Sequence, residues 1–526
     1  MRGARKTPSW AVLAAALPAL PALLLLILLV AVIARLPWAG DLGVHAATIE
    51  RLRHDLVDPG NPLVDANTPS PYYSPWMLLL GCLAKVTGLG TFVVLRMAAV
   101  AGLALLVTGV WNLVRTFSTR RAAPPLALLC LLLLWGPSLF NWSGFLGLNS
   151  LALTISYPST FALGLSFHLW ALLRRALRSG SGVPVFLGLG LLWSVILLSH
   201  QFTGVVASFG ALAMVAGARP WPSRAVLLRL GGGLALGFVV LLAWPYYSFF
   251  DLFGVGGLEE IHRSLYRHLL GHFGLVLVGV AALALRWRRD RRDPLVIFLA
   301  LGALMFAAGG LTGHYSWGRV LPAALIPAQL AAALEVFEAG RRAGARKAGM
   351  RGLFAGVLGL ALLVGAWTQV GTLGYVIPKR DLPPRVAAKY KAPWAGYQWI
   401  MDRGVRYGDV VMAKTFPARQ IPAYGPYTVA PGYPDFFLPD QERRLDAVNR
   451  YFAAGTSRAE RLEVLHRYGV RWVVAYPGDG GLPADDPALR RVGVGPRGQV
   501  LFEVVGSPGH RASGAPGHPR HPILIS

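Results

Sequence analysis

Long uncharged apolar segments follow one another through residues 1–375 of this chain. The first, at 10–36, is long enough to cross the roughly 30 Å hydrocarbon core of a bilayer. Charged residues make up 14% of the chain, whereas soluble proteins carry about 25%. The pattern predicts a polytopic α-helical membrane protein with about eleven transmembrane helices. Their predicted positions are 10–36, 91–115, 123–140, 150–173, 183–199, 201–218, 225–249, 271–287, 294–312, 317–337 and 352–375.

Most of the net charge of +26 comes from Arg and Lys in short loops between apolar segments, such as the loop with Arg174, Arg175 and Arg178. Positively charged loops stay on the cytoplasmic side, so the charge indicates topology rather than a nucleic-acid partner. The N-terminus is then cytoplasmic. The short apolar stretch 74–86 is predicted to be a juxtamembrane helix on the outer face, because an additional span would place most arginines outside. Residue usage rich in Arg, Ala, Gly and Leu indicates a bacterium, so we expect a multi-pass protein of the bacterial cell (inner) membrane.

Polar composition marks the remaining regions. Residues 37–90 form a large first external loop with the juxtamembrane helix, and loops of this size are more often functional than mere connectors. Residues 376–505 alternate predicted helices (394–403, 441–453, 458–468) with predicted strands (409–413, 470–476, 500–505), which indicates a small external α/β domain. Residues 506–526, rich in Gly, Pro and His, are predicted to be disordered.

Several motifs resemble those of the GT-C superfamily, membrane glycosyltransferases that take sugars from polyprenyl-phosphate carriers. Asp41 and His45 follow the first span, as in the first external loop of GT-C relatives. The stretch PYYSPW at 71–76, followed by Arg96, is similar to a "YxP…G…RL" pattern, and SHQFTG at 199–204 to an "HxxTG" turn. The resemblance implies a GT-C-like transmembrane domain at 1–375, followed by an external domain. No WWDYG motif is present, so an oligosaccharyltransferase is not expected.

The resemblance implies that Asp41 is the general base, which takes the proton from the acceptor hydroxyl. Such base catalysis contributes about 10²–10⁴-fold. His45 shares a helical face with Asp41 and is expected to orient the carboxylate or contact phosphate. The alternatives are that Asp41 caps the following helix and that His45 is a hydrogen-bonded interfacial histidine.

The leaving group of such a reaction is a phosphate, which the planar guanidinium of arginine matches well. Arg319 begins a span on the predicted outer side, where it either binds a lipid phosphate or extends to the headgroups. The loop after residue 244 holds a further basic cluster, for which a plain membrane-surface patch is the alternative. The full set of candidate donor-phosphate residues is Arg319, His314, Arg96, His262, Arg263 and Arg267.

A second set of residues is expected to bind the acceptor or the sugar: Asp65, Tyr72, Tyr73 and His200. A buried core histidine is the alternative for His200. No cofactor is firmly implied. The second external loop, NWSGFLGLN at 141–149, has no acidic residue, so it gives no support for a divalent metal.

The predicted function is transfer of a sugar from a polyprenyl-phosphate donor to a lipid, glycan or protein acceptor at the external face. One alternative is a transporter or flippase for a lipid-linked substrate. That function would require charged residues at midspan, whereas the charges here gather near helix ends. Another alternative is a non-catalytic membrane scaffold whose external domain binds a partner.

Overall fold

The computed structural model describes residues 9–254, 259–338 and 345–506. The chain divides into two compact units. The larger unit contains the chain up to Pro59 together with Pro69–Ala395, and the smaller contains Gly60–Thr68 and the chain from Gly396 onward. Except for Gly506, the predicted disordered tail lies outside the described residues.

The larger unit is helical. Its first ten α-helices are α1 (Ser9–Arg35), α2 (Leu42–His54), α3 (Pro75–Thr87), α4 (Thr91–Phe117), α5 (Ala123–Leu133), α6 (Leu148–Thr154), α7 (Pro158–Ser179), α8 (Val183–Ser199), α9 (Gln201–Ala216) and α10 (Arg224–Leu242). The next seven are α11 (Glu259–His262), α12 (Leu269–Phe273), α13 (Leu277–Arg289), α14 (Pro294–Thr312), α15 (Pro322–Glu338), α16 (Ala345–Thr368) and α17 (Pro384–Ala387). Short 3₁₀ segments, among them Tyr315–Val320, lie between some of these helices.

Within the described residues, six helical segments are long and apolar enough to cross a membrane, by length and composition. They are Leu17–Arg35, Thr91–Phe117, Arg224–Leu242, Leu269–Arg289, Pro294–Thr312 and Tyr315–Glu338. Shorter apolar helices accompany them: Pro75–Thr87, Ala123–Leu133, Val183–Ser199, Gln201–Ala216 and Gly352–Thr368. The protein is therefore a multi-pass membrane protein.

One predicted span, 150–173, is two helices in the structure. Helix α6 ends at Thr154 and α7 begins at Pro158. Proline lacks the backbone N–H that a helix interior needs but is well tolerated in the first turn, so the break falls before Pro158. The buried Tyr157 is the residue that precedes α7.

Helices α4 and α7 approach each other closely at two glycines. A Cβ atom on Gly109 would lie 2.8 Å from the carbonyl oxygen of Gly164, so a larger residue would push the two backbones apart. Small residues permit such close packing between membrane helices. With 22 residues, α7 is about 33 Å long, so it joins Tyr157 at one end of the helical unit to Arg174 and Arg178 at the other.

The smaller unit contains a five-stranded mixed sheet in the order β2-β1-β3-β5-β4. Its strands are β1 (Val410–Ala413), β2 (Tyr427–Thr428), β3 (Val470–Ala475), β4 (Leu489–Val494) and β5 (Val500–Val504). Strand β1 is parallel to β2 and β3, whereas β5 is antiparallel to β3 and β4. Four helices complete this unit: α18 (Gln398–Met401), α19 (Thr415–Ala418), α20 (Gln441–Phe452) and α21 (Arg458–Arg467).

The sequence patterns missed two strands and overextended one helix of this unit. Strand β4 carries adjacent exposed arginines, Arg490 and Arg491, so it lacks the alternation that reveals a half-buried strand. Strand β2 has only two residues. The helix predicted at 394–403 is the single turn Gln398–Met401.

The segment Gly60–Thr68 is part of the smaller unit although it lies within the first loop in sequence. The buried side chain of Asn61 holds it there, because its Nδ2 donates to Oδ2 of Asp435 over 2.6 Å. The backbone N–H of Thr428 donates to the carbonyl oxygen of Leu63 over 3.0 Å. These bonds extend the hydrogen-bonding network of the unit beyond the edge strand β2.

Candidate active site

Asp41 lies at the turn between α1 and α2. The turn uses left-handed backbone conformations at Leu36 (φ 48°) and Gly40 (φ 49°). The Asp41 side chain is exposed, and within the described residues it makes no capping hydrogen bond to α2. Its charge interacts instead with the guanidinium of Arg319 and the phenol of Tyr157. The geometry therefore does not support the helix-cap interpretation of this carboxylate.

Tyr157 fixes the backbone that leads into Asp41. Its hydroxyl donates a short hydrogen bond to the carbonyl oxygen of Ala39. A Cβ atom on Gly40 would lie 3.4 Å from the same hydroxyl, in van der Waals contact, and the φ of +49° favours glycine between Ala39 and Asp41. The helix break before Pro158 thus supplies a polar anchor for the Asp41 turn.

His45 is buried on α2, four residues after Asp41. Its ring packs edge-to-face against Tyr157, with 4.7 Å between ring centroids, and lies 6.4 Å from the ring of Tyr72. Burial lowers the pKa of His45 from 6.5 to about 3. Within the described residues its Nδ1 has no hydrogen-bond partner. His45 is therefore neutral near pH 7 and brings no positive charge to a phosphate.

Arg319 and His200 meet beside this turn. Nη2 of Arg319 lies 3.4 Å from Nε2 of His200. The Arg319 guanidinium is buried and lies over two aromatic rings, 4.7 Å from the centroid of Phe202 and 5.7 Å from that of Trp142. In the described part of the chain, its Nε has no hydrogen-bond partner and its guanidinium makes no ion pair within 4.0 Å.

The hydrogen bonds of His200 indicate which of its two ring nitrogens carries the proton. Nδ1 lies 3.2 Å from the backbone nitrogen of Thr203 and 2.8 Å from its Oγ1. A backbone N–H can only donate, so Nδ1 accepts and the neutral ring carries its proton on Nε2. Two N–H donors then face each other at 3.4 Å, and an anionic oxygen beside them would accept from both.

A glycine keeps space open beside these donors. A Cβ atom on Gly144 would lie 3.7 Å from Cε1 of His200 and 4.0 Å from Nη2 of Arg319. Gly144 also has φ +84°, a conformation that other residues rarely adopt. At Gly144, the second external loop (141–149) thus approaches the two donors with its backbone and without a side chain.

His262 joins the same cluster from α11. It is buried, and its ring centroid lies 5.7 Å from those of both Trp142 and Phe202. Glu259, one turn earlier, accepts hydrogen bonds from the backbone N–H (2.7 Å) and the hydroxyl (2.8 Å) of Ser316. These bonds tie α11 to the 3₁₀ segment that carries Arg319.

The remaining donor-phosphate candidates have other surroundings. Arg96 donates to the carbonyl oxygens of Ala34 and Phe92. His314 is exposed and stacks on Trp317, with 5.1 Å between ring centroids. Arg263 and Arg267 are exposed, and Arg263 forms an ion pair with Glu260, one turn before it. None of these described contacts reaches the pair formed by Arg319 and His200.

Apart from His200, the residues predicted to bind the acceptor or the sugar do not lie together. Tyr72 lies beside His45, whereas Tyr73 is buried against Tyr246 with 5.9 Å between ring centroids. Asp65 is exposed and belongs to the smaller unit.

Sequence reasoning did not select Tyr157, Trp142, Phe202, Thr203 or Gly144 as site residues. The only local signal for Tyr157 is the proline that follows it within an apolar run. Phe202 and Thr203 stand in the motif that contains His200, so that motif offered a signal for them. Among the described residues there is no group of three or more His, Cys, Asp or Glu side chains that could hold a metal ion.

No family model and no curated protein matches this chain. Solved structures do match it. ArnT from Cupriavidus metallidurans in the apo state superposes with a TM-score of 0.53 at 15% identity, over 91% of this chain and 97% of that one. The same protein bound to undecaprenyl phosphate gives 0.52 at 14% identity, over 96% and 100%. This chain has the GT-C fold.

The similarity extends to a larger GT-C protein. A mutant of the arabinofuranosyltransferase AftD from Mycobacteria superposes with a TM-score of 0.54 at 16% identity, over 97% of this chain and 42% of AftD. This chain thus spans less than half of AftD but nearly all of ArnT. At these identities the likeness establishes the GT-C fold, and the chemistry must be argued from the site itself.

Proposed function

We propose that this protein is a membrane glycosyltransferase that moves a sugar from a polyprenyl-phosphate donor to an acceptor hydroxyl at the external face of the membrane. The observation that carries the proposal is the pair of facing donors on Arg319 and His200, together with the electrostatic interaction between Arg319 and Asp41. Such a transfer requires groups that bind the donor phosphate and a base that takes the proton of the acceptor.

Arg319 and His200 bind the phosphate of the donor. The buried guanidinium lies between aromatic rings, where electrostatic interactions are stronger than in water. As the bond between the anomeric carbon and the phosphate oxygen breaks, negative charge grows on that oxygen. The N–H groups of Arg319 and His200 stabilise this charge, as preorganised donors do in other transfer reactions.

Asp41 acts as the base. Its exposed carboxylate is accessible to an acceptor, and it takes the proton from the acceptor hydroxyl as that oxygen attacks the anomeric carbon. The products are the glycosylated acceptor, the polyprenyl phosphate and a protonated Asp41. Tyr157 holds the turn that presents this carboxylate.

Two comparisons support this function, the first through its bound lipid and the second through its transferase activity. ArnT, which shares the GT-C fold with this chain, has been solved with undecaprenyl phosphate bound, and AftD is an arabinofuranosyltransferase. The loop charges support a cytoplasmic N-terminus and a C-terminal domain outside, and the residue usage supports a bacterial inner membrane.

The proposal is tested by deleting the gene in its host and comparing the cell-envelope glycans by mass spectrometry, with complementation by variants. We expect wild-type protein to restore a sugar that is lost on deletion, and Asp41→Asn to fail although it is expressed and inserted normally. Asp58→Asn, an exposed carboxylate in the same loop, is the matched control and should restore the sugar. Restoration by Asp41→Asn would remove Asp41 as the base. An unchanged glycan profile after deletion would reject the glycosyltransferase.

A further inference from the structure

A basic pocket lies at the other end of α7 from Tyr157. Its volume is about 220 Å³. Polar residues supply much of its wall, and a few apolar side chains complete it. The lining residues that matter here are Arg174, Arg178, Arg219, Asp290, Asp293 and Leu177.

Both carboxylates of the pocket are already paired with arginines. Asp290 accepts from Arg219, with an Nη2–Oδ1 distance of 2.6 Å. Asp293 accepts from the buried Arg286, with an Nη2–Oδ2 distance of 2.8 Å. Arg286 also bonds to Glu338 over 2.9 Å. The acids of the pocket therefore form their ion pairs with Arg219 and Arg286 rather than with Arg174 or Arg178.

Arg174 and Arg178 form no ion pair within 4.0 Å in the described part of the chain. The Arg174 guanidinium lies 3.9 Å from the centroid of the Phe117 ring, and its Nε is buried without a hydrogen-bond partner among the described residues. Arg178 is exposed and donates to the carbonyl oxygen of Thr116 over 3.2 Å. Arg174 also interacts electrostatically with Asp293, but neither Arg174 nor Arg178 has an acidic group within 4.0 Å in the described part of the chain.

Nearby tryptophans indicate the depth of the pocket in the membrane. Trp221 is 54% exposed, and the guanidinium of Arg292 lies 5.2 Å from its ring centroid. Trp287 is 49% exposed, with Arg291 at 5.6 Å. Exposed tryptophans beside arginines are typical of the membrane–water interface. The pocket therefore lies at the level of the lipid headgroups.

We propose that this pocket binds the phosphate of an anionic phospholipid from the leaflet opposite the Asp41 site. A guanidinium binds a phosphate through parallel N–H groups, and basic pockets between membrane helices recognise anionic headgroups. Leu177 and the other apolar wall residues can pack against the glycerol and the first acyl carbons. This inference does not depend on the proposed sugar transfer, because Arg174 and Arg178 lie about 25–32 Å along α7 from Tyr157.

Native mass spectrometry of the full chain in detergent tests the site. The probes are cardiolipin and phosphatidylglycerol, with phosphatidylcholine as the lipid without net charge. We expect the two anionic lipids to bind, and Arg174→Gln combined with Arg178→Gln to weaken that binding by about tenfold or more. Arg224→Gln, an exposed arginine at the same end of the unit, is the control and should bind as wild type does.

Arg178→Gln alone covers the case in which the double variant fails to fold, because Arg178 is exposed and its loss leaves the Phe117 contact intact. Arg174→Lys keeps the charge without the planar guanidinium and should bind with intermediate affinity. Equal lipid binding by wild type, Arg178→Gln and the double variant would overturn the proposal. Full displacement of the lipids by millimolar inorganic phosphate would also overturn the lipid assignment and identify a soluble phosphate as the ligand.

Discussion

Nη2 of Arg319 lies 3.4 Å from Nε2 of His200, although Arg319 is in the 3₁₀ segment Tyr315–Val320 and His200 is at the junction between α8 and α9. Two donors at this distance repel each other mildly unless an acceptor lies between or beside them. The aromatic rings of Phe202 and Trp142 hold the guanidinium in place. The two donors are therefore already in position before an anion binds, which reduces the free-energy cost of reorganisation on binding.

Replacing Arg319 should weaken binding of the polyprenyl phosphate product. We expect Arg319→Gln to raise the Kd for undecaprenyl phosphate by about tenfold or more, because a charge-assisted contact is lost. Arg319→Lys should recover part of the affinity. Binding is measured by isothermal titration calorimetry on purified protein, with the exposed Arg120→Gln as the control. Wild-type affinity in Arg319→Gln would argue against a phosphate at this position.

Tyr157 should affect catalysis through the position of Asp41 rather than through binding. Tyr157→Phe removes the hydrogen bond to the carbonyl oxygen of Ala39, which costs about 1 kcal/mol and should reduce the transfer rate roughly fivefold. The Kd for undecaprenyl phosphate should stay unchanged. The rate is followed as the return of the missing glycan in complemented cells, with Tyr390→Phe as the control. A change in affinity with an unchanged rate would contradict this positioning role.

The neutral state of His45 predicts a loss of stability at acidic pH. Burial lowers its pKa from 6.5 to about 3, so between these values the unfolded chain binds a proton that the folded protein does not. The free energy of unfolding therefore decreases as the pH drops below 6.5, and the decrease reaches about 2 kcal/mol at pH 5. Thermal unfolding in detergent at pH 7.5 and pH 5 measures this effect.

The variant His45→Phe keeps an aromatic ring without a titrating group, so its Tm should fall less between the two pH values. The exposed His54 provides the control, since His54→Gln should retain the wild-type fall. If His45→Phe and wild type lose the same Tm on acidification, His45 is not the residue responsible.

Asn61 should stabilise the smaller unit. Its Nδ2 donates to Asp435 over 2.6 Å, and its Oδ1 accepts from the backbone N–H groups of Leu63 (2.9 Å) and Val64 (3.2 Å). Asn61→Ala leaves the buried carboxylate of Asp435 without this donor, which should lower the free energy of unfolding by about 1–3 kcal/mol. Limited proteolysis should then cleave residues 60–68 faster than in wild type or in the exposed control Asn449→Ala. Equal cleavage rates would show that other contacts hold the segment.

The helical elements could be read from the sequence because the signal is local. A run of apolar residues must satisfy its backbone within a helix wherever it lies in a membrane, so α4 and α14 were predicted nearly to their ends. The same reasoning failed at 150–173. Apolarity continues through Tyr157, and only Pro158 signals that the helix breaks there.

The candidate site was only partly accessible to such reasoning. Asp41, His200, Arg319 and His262 were selected from motifs and loop charges, and the structure brings Arg319 close to each of Asp41 and His200, with His262 against the same aromatic rings. Sequence could not show which other basic residues stay outside this cluster, because every arginine near a predicted outer face looks equally suitable.

The sequence by itself determined that the chain crosses a membrane repeatedly, where its polar loops lie and which carboxylate follows the first span, since hydropathy and charge are properties of short segments. Tertiary structure alone decided that Arg319 faces His200, that Tyr157 anchors the Asp41 turn and that Gly60–Thr68 joins the smaller unit. These relationships join residues far apart in the chain. They depend on how closely helices such as α4 and α7 pack, which is set by contacts between side chains rather than by any local pattern.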